Sequence, residues 1–229
     1  MRVFAIGDVH LSFATDNKSM DVFGSRWEAH TKRLKEAWQD TVCSDDLVLI
    51  PGDISWAMYL DDAKADLAFL DSLNGTKVLL RGNHDYWWSS YTKVKESLPN
   101  SIIAVQNNVV RFGDIAVGGT RGWTSPECAG FSQADDRKIY EREKMRLELS
   151  LSKMTADSIN IVMLHYPPFS EKGQPTEFVD IIEHRPISHV VYGHLHGSAH
   201  RSAFTGVRNG ISYELVSADY LNFMPKRIL

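Results

Sequence analysis

Short apolar, β-branched runs recur along this chain, and five of them stop in the same manner, in a turn or abruptly before Asp, Asn or His. Val3 to Ile6 leads to Asp8 and His10, and Leu47 to Ile50 to Asp53. Val78 to Leu80 leads to Asn83 and His84, Ile159 to Leu164 to His165, and Val190 to Tyr192 to His194 and His196. Runs this short read as buried strands. Amphipathic stretches lie between most of them, and that alternation predicts an α/β fold. Residues just past the carboxyl ends of strands in such sheets converge on one crevice, so five segments are expected to bring Asp, Asn and His groups together. Those groups are metal ligands by type. Gly7, Gly52, Gly82 and Gly193 fit the sharp turns that close backbone approach requires. Residues two apart in an extended segment point the same way, so Asp8 with His10, and His194 with His196, are each expected to reach one site.

The rest of the pattern supports one domain over residues 1–229, since no repeat or low-complexity linker divides it. Trp27, Leu34, Ala37 and Trp38 form one helical stripe; Leu60, Ala63, Leu67 and Leu70 form another, with a helix stop at Asn74-Gly75. Ile102 to Val105 reads as a further strand. Val109 to Phe112 and Ile115 to Val117 flank Gly113-Asp114, a two-residue hairpin signal that makes the sheets mixed, and Ile211 to Val216 adds a late strand. Between Asp135 and Glu148, five acidic and five basic residues cancel, which predicts a solvated helix face and not a single-signed binding patch. The whole chain carries a formal charge of −4, which disfavours long nucleic acid as a partner. Nowhere do about 18 apolar residues run together, and the opening decapeptide is no signal peptide, so the expectation is a cytoplasmic protein without a membrane. Cys43 and Cys128 form no CxxC and are expected to be reduced, packed thiols.

Each block alone fits ordinary turn chemistry. Together, Asp8-Val9-His10, Gly52-Asp53, Gly82-Asn83-His84-Asp85, His165 and Gly193-His194-Leu195-His196 resemble, in order, the calcineurin-like metallophosphoesterase pattern. The resemblance implies a four-layer α/β/β/α sandwich with two divalent transition-metal ions, drawn from Mn, Fe, Zn, Co and Ni. It implies that Asp8, His10 and His196 bind one ion, that Asn83, His165 and His194 bind the other, and that Asp53 bridges them. It places His84 outside the metal ligands, as the catalytic acid for attack by a metal-bridging hydroxide. The chemistry agrees: paired divalent ions generate hydroxide at neutral pH and clamp phosphoryl oxygens, while a nearby unligated histidine can protonate the leaving group.

The protein-phosphatase branch carries an acidic residue and Arg-Gly soon after its GD block, whereas this chain reads Ile54-Ser55-Trp56-Ala57-Met58 there. A phosphomonoester dianion benefits from that extra fork, so the reading leans to a phosphodiester, with pyrophosphates and monoesters as alternatives. A small, nucleotide-like phosphorylated substrate is expected, held by Arg121 and by Trp88 and Trp123 as stacking platforms. Trp56 and Trp87 are further candidates for the cleft or for packing, and Arg81 is expected at the surface. Asp85 is expected to orient His84 or to cap the next helix; His200 reads first as a structural or surface residue, with support of His196 as the alternative. His30, His184 and His189 read as structural or surface residues. Two rivals remain: a nuclease using the same metals, and a non-catalytic interaction scaffold such as this fold forms in the retromer complex. The full ligand set with His84 favours the enzyme.

Overall fold

The structure is a computed structural model that describes residues 1–14 and 20–229. Strands β1 (Val3–Ala5), β2 (Leu47–Pro51), β3 (Thr76–Leu80) and β4 (Ile102–Val105) lie side by side and parallel, with β11 (Lys226–Arg227) antiparallel on the free edge of β1. In the second sheet, β5 (Val109–Phe112), β6 (Ile115–Thr120), β7 (Ile159–Leu164), β8 (His189–Tyr192), β10 (Ile211–Leu215) and β9 (Gly206–Arg208) follow in that spatial order. Its four central strands are parallel, and hairpins close both edges. The hairpin at Gly113-Asp114 forms as expected, with Phe112 opposite Ile115.

Strand alternation builds the layers. Val3, Ala5, Leu47, Leu49, Val78 and Leu80 face Val117, Ile161, Met163 and Val191 in a core between the sheets. Their neighbours Phe4, Val48, Ile50 and Leu79 turn outward onto α1 (His30–Thr41) and α2 (Leu60–Asp71). On the far side Val162, Leu164, Val190 and Tyr192 meet α4 (Arg137–Leu151) and α5 (Glu177–Glu183). The result is the expected α/β/β/α sandwich, and it explains the unbroken apolar runs: strands covered on both faces need no polar alternation. Each fully buried Val or Leu in these layers contributes roughly 1.5 to 3 kcal/mol. The short α3 (Tyr91–Ser97) begins at Ser90, whose hydroxyl accepts from Lys93 N.

Four local expectations are corrected. Trp27 lies in a 3-10 turn, Ser25–Trp27, ahead of α1, though it is buried with the stripe. Helix α2 ends at Asp71, before Asn74-Gly75, where Asn74 is tied back by its amide to Val42 O at 2.9 Å and by Trp38 Nε1 to its carbonyl at 2.9 Å. Cys43 is exposed, not packed. The charge-rich helix α4 is solvated on only part of its surface: Glu143 and Ser150 are buried against β6. The cause lies in Gly118, whose missing side chain lets α4 approach until Ser150 Oγ accepts from Gly119 N at 2.9 Å and Thr120 Oγ1 donates to Glu143 Oε2 at 2.5 Å.

Candidate metal centre

All seven expected ligand residues lie past the carboxyl ends of parallel strands, three from the first sheet and two from the second. Asp8 and His10 follow β1, Asp53 follows β2, Asn83 follows β3, His165 follows β7, and His194 and His196 follow β8. The sheets are laced together there: Gly7 N donates to Val216 O at 2.7 Å, and Ala218 N to Gly7 O at 2.9 Å. The approach is close enough to forbid side chains. A Cβ on Gly82 would sit 2.1 Å from Asp53 Oδ1, and one on Gly193 would sit 2.4 Å from Asp8 Oδ2.

The backbone geometry is not the extended one expected. Asp8, His10, Asp53 and His194 have φ of 54°, 44°, 51° and 74°, in the left-handed region. Non-glycine residues rarely occupy it and are concentrated at functional sites when they do. Asp8 and His10 thus converge through two left-handed turns. His194, left-handed, and His196, extended, diverge to opposite halves of the site.

One half gathers His10 Nε2 and His196 Nε2, 3.4 Å apart, with Asp8 Oδ1 at 3.9 Å from the latter. The other gathers Asn83 Oδ1, His165 Nε2 at 2.6 Å from it, and His194 Nδ1 at 2.9 Å. Asp53 stands between, its Oδ2 at 3.8 Å from His10 Nε2 and its Oδ1 at 3.5 Å from His165 Nε2. His165 Nδ1 lies 3.0 Å from Pro51 O and must donate to that carbonyl, which leaves the Nε2 lone pair aimed at Asn83 and Asp53. Although His165 Nδ1 is also 3.7 Å from Asp8, its proton is on Pro51, so His165 belongs functionally to the Asn83 half.

Burial holds His165 and His194 down to about 3 and lowers His10 too, so three imidazoles are neutral and ready to ligate at pH 7. Burial pushes Asp8 up to about 7 and raises Asp53. Two nearly inaccessible carboxylates facing neutral imidazoles are a donor set short of positive charge, and divalent cations fit it by charge and by ligand type. His196 goes the other way. Burial opposes its protonation, but the hydrogen bond to Asp219 and the charge of Asp8 outweigh that and raise it to about 9.

Sequence reasoning missed Asp219. Its Oδ1 accepts from His196 Nδ1 at 2.9 Å and its Oδ2 from Gly197 N at 3.1 Å, which turns His196 Nε2 toward His10. His200 Nε2 is 3.3 Å from the same carboxylate, so His200 reaches His196 only through Asp219. The missed signal was another apolar run ending in an acid, Leu215-Val216-Ser217-Ala218-Asp219, after β10. Asp85 is also corrected: it neither orients His84 nor caps a helix. Its buried carboxylate accepts from Gly82 N, Ile54 N, Ser55 N and Trp87 Nε1, at 2.7, 2.8, 3.1 and 2.9 Å, and so joins the loops that carry Asp53 and Asn83.

His84 donates its backbone N–H to Asp53 Oδ1 at 2.8 Å, and its ring packs 4.6 Å from that of Trp56. Its Nδ1 is buried without a partner among the described residues. A cleft of about 630 Å³ opens over this half, lined by His10, Trp27, Trp56, His84 and His196 with Arg26 at its wall. Trp56 stacks on His10 at 4.9 Å and 21°. On the opposite half Trp123 and Tyr166 line a smaller pocket beside His194. Trp87 and Trp88 do not reach either pocket. Both are 1% exposed and belong to the core under the first sheet, so Trp88 is a packing residue and not a platform. Arg121 lies over the Trp123 ring at 4.4 Å, and Arg81, expected at the surface, is half-buried.

The model of the calcineurin-like phosphoesterase family matches residues 1–198. An uncharacterized protein of Methanocaldococcus jannaschii is 29% identical over 94 residues, which is 41% of this chain and 52% of that relative, so the match spans about half of the relative's length. Among solved structures, phosphopantetheinyl hydrolase from Mycobacterium tuberculosis superposes with a TM-score of 0.61 at 13% identity, covering 100% of this chain and 95% of its own. The calcineurin-like phosphoesterase YfkN of Bacillus subtilis superposes with a TM-score of 0.54 at 16% identity, covering 96% and 82%. These two likenesses concern the fold. Among the described residues no helix is long and apolar enough to cross a membrane.

Proposed function

The chain belongs to the calcineurin-like phosphoesterase family of metal-dependent phosphoester hydrolases, and from that premise we propose that it cleaves a small phosphodiester at a two-metal centre. Asp8, His10 and His196 would hold one ion and Asn83, His165 and His194 the other, with Asp53 within reach of both. The observation that carries this reading is Asp53, buried and facing an imidazole Nε2 on either side. Divalent ions bound there supply Lewis acidity, lowering the pKa of water and drawing charge from phosphoryl oxygens. The mixed imidazole and carboxylate set favours Mn, Fe, Co, Ni or Zn over Ca or Mg.

The chain's own residues do the rest. His84 is fixed beside Asp53 through its backbone and lies in the wall of the open cleft, where it protonates the departing oxygen. The Ile54–Met58 segment offers no guanidinium fork after Asp53, and its Trp56 stacks on His10 instead, which favours a singly charged diester over a dianionic monoester. Trp27 and Trp56 on one side and Trp123 and Tyr166 on the other suit two organic substituents, at least one bearing a flat ring. The free thiols Cys43 and Cys128 fit a reducing cytoplasm.

The test is reconstitution with Mn²⁺, elemental analysis, and rates on paired nitrophenyl mono- and diesters. Two ions per chain and a faster diester are expected; no bound metal would sink the centre, and a faster monoester would sink the diester preference. His84→Ala should keep its ions while losing about 10²- to 10⁴-fold in rate, most on poor leaving groups.

A further inference from the structure

Behind the metal centre, between the end of β3 and helix α4, lies a cavity of about 390 Å³ whose walls carry Arg81, Arg121, Arg142 and Arg146 with Glu143 as their one acid. Their formal sum is +3, on a chain whose total is −4. Glu143 is already engaged. Its Oε2 accepts from Thr120 Oγ1, and its Oε1 lies 2.7 Å from Arg146 Nη1 and 3.6 Å from Arg142 Nε. Asp85, which also feels Arg81, has both oxygens taken by backbone and indole N–H groups. Among the described residues, Arg81 Nε is buried with no hydrogen-bond partner, and the Arg121 guanidinium has the face of Trp123 for company but no carboxylate within ion-pair distance.

Four guanidinium groups repel one another, and partial burial strengthens the repulsion. A protein ordinarily pairs such groups or leaves them in water. Here Arg142 and Arg146 share the single carboxylate of Glu143 while Arg81 and Arg121 line the same concave space beside them, and guanidinium forks match the oxygens of a phosphate group in pairs. We propose that this cavity is an oxyanion site, separate from the metal centre, that takes a phosphate group. It abuts that centre through the backbone: Arg81 is two residues before Asn83, and Arg121 O accepts from His165 N at 3.0 Å. The occupant is therefore either a second phosphoryl group of the substrate or free phosphate, and the site stands whether or not a diester is the substrate.

Calorimetric titration of inorganic phosphate into the metal-loaded chain tests it, alongside Arg142→Ala/Arg146→Ala. The parent is expected to take up phosphate in the cavity, and the double variant to lose that uptake by about tenfold or more in affinity. Repeating the titration after chelation separates this site from phosphate held at the metals, which chelation abolishes. Because Arg146 braces Glu143, the half-exposed Arg142→Gln serves as a second variant that leaves that ion pair intact, and it should weaken phosphate in the same direction. Identical phosphate affinity and stoichiometry in the parent and both variants would overturn the proposal. The two sources are told apart by rate. A substrate carrying an extra phosphate should lose about tenfold in kcat/KM in the double variant, while its singly phosphorylated counterpart is unchanged, if the cavity holds the substrate's own group. Equal rates on both substrates with phosphate binding still lost assign the cavity to free phosphate.

Discussion

The two ends of the β-sandwich treat charge in opposite ways. At the amino ends of the strands every buried charge has partners: Asp46 accepts from the Arg2 guanidinium, from Arg2 N at 2.9 Å and from Cys43 N at 2.9 Å. Lys77, fully buried, donates to Leu73 O and Gly75 O at 2.8 Å each. At the carboxyl ends, Asp53 faces the neutral imidazoles of His10 and His165, four chemistry-bearing residues sit in left-handed backbone, and four arginines line a cavity with Glu143 as their one acid. Paired charge marks the end that stabilises the fold, and unmet charge marks the end that binds something.

The sharpest way to break that comparison is Asp53→Asn. It should abolish the second ion and lower the rate by at least about 10²- to 10³-fold, the scale of losing a group that acts in the transition state. Without metal the same change removes a buried carboxylate, so the chelated variant should melt no lower than the chelated parent, as a thermal scan with and without chelator would read. A metal-replete, fully active variant would remove Asp53 from the bridge. Next in size is Asp219→Ala, which frees the His196 ring and should weaken metal affinity by about 10- to 100-fold in a competition titration while leaving Tm nearly unchanged. A large fall in Tm with intact affinity would move Asp219 to the stabilising side of the comparison.

The paired end should answer in the reverse sense. Lys77→Met leaves two carbonyls without donors and should cost about 1 to 3 kcal/mol in denaturant unfolding, with kcat/KM preserved. Burial also lowers the Lys77 ammonium to about 8. The unfolded chain then holds more protons than the folded one from about pH 8 up to the ordinary lysine range, so parent stability should rise with pH there, and the variant should lack that rise.

What the sequence made legible follows from the same division. Strands covered on both faces announce themselves as unbroken β-branched runs, and glycine beside Asp, Asn or His told where each run would turn. The left-handed backbone of Asp8 and His10 was not legible, because extended spacing and two left-handed turns both bring alternate residues together. Trp88 was misread because an indole beside a motif looks the same whether it faces a cleft or the core; position on the loop decides it. Glu143 and the arginines of α4 were read as solvent because their counterparts lie at the ends of β3 and β6, far away in sequence, and because Gly118 in β6 lets the helix come close. Asp219 was within reach, since its run ends as the other five do.

The smallest effect concerns Asp46, and it separates the two ends by the direction of their pH response. Burial alone would raise the Asp46 carboxyl, but the Arg2 fork and the Cys43 amide outweigh it and hold it down to about 2. An acid whose folded pKa is depressed contributes stability above its unfolded pKa and loses it as pH falls through the folded one. The difference in unfolding free energy between parent and Asp46→Asn should therefore be flat above about pH 5. There it should amount to about 1 to 2 kcal/mol, limited by the solvent around Arg2. It should shrink from about pH 4 downward and vanish near pH 2, as urea titrations of both proteins at stepped pH would show. Asp8 at the other end, raised to about 7 by burial in the metal-free chain, has the reverse sign: its folded form holds a proton that the unfolded chain has already released, so the chelated protein loses stability as pH rises toward 7. If the Asp46 difference instead grew on acidification, its carboxylate would be held against its partners and not by them, and the contrast between the two ends would fail at the residue where it is most fully paired.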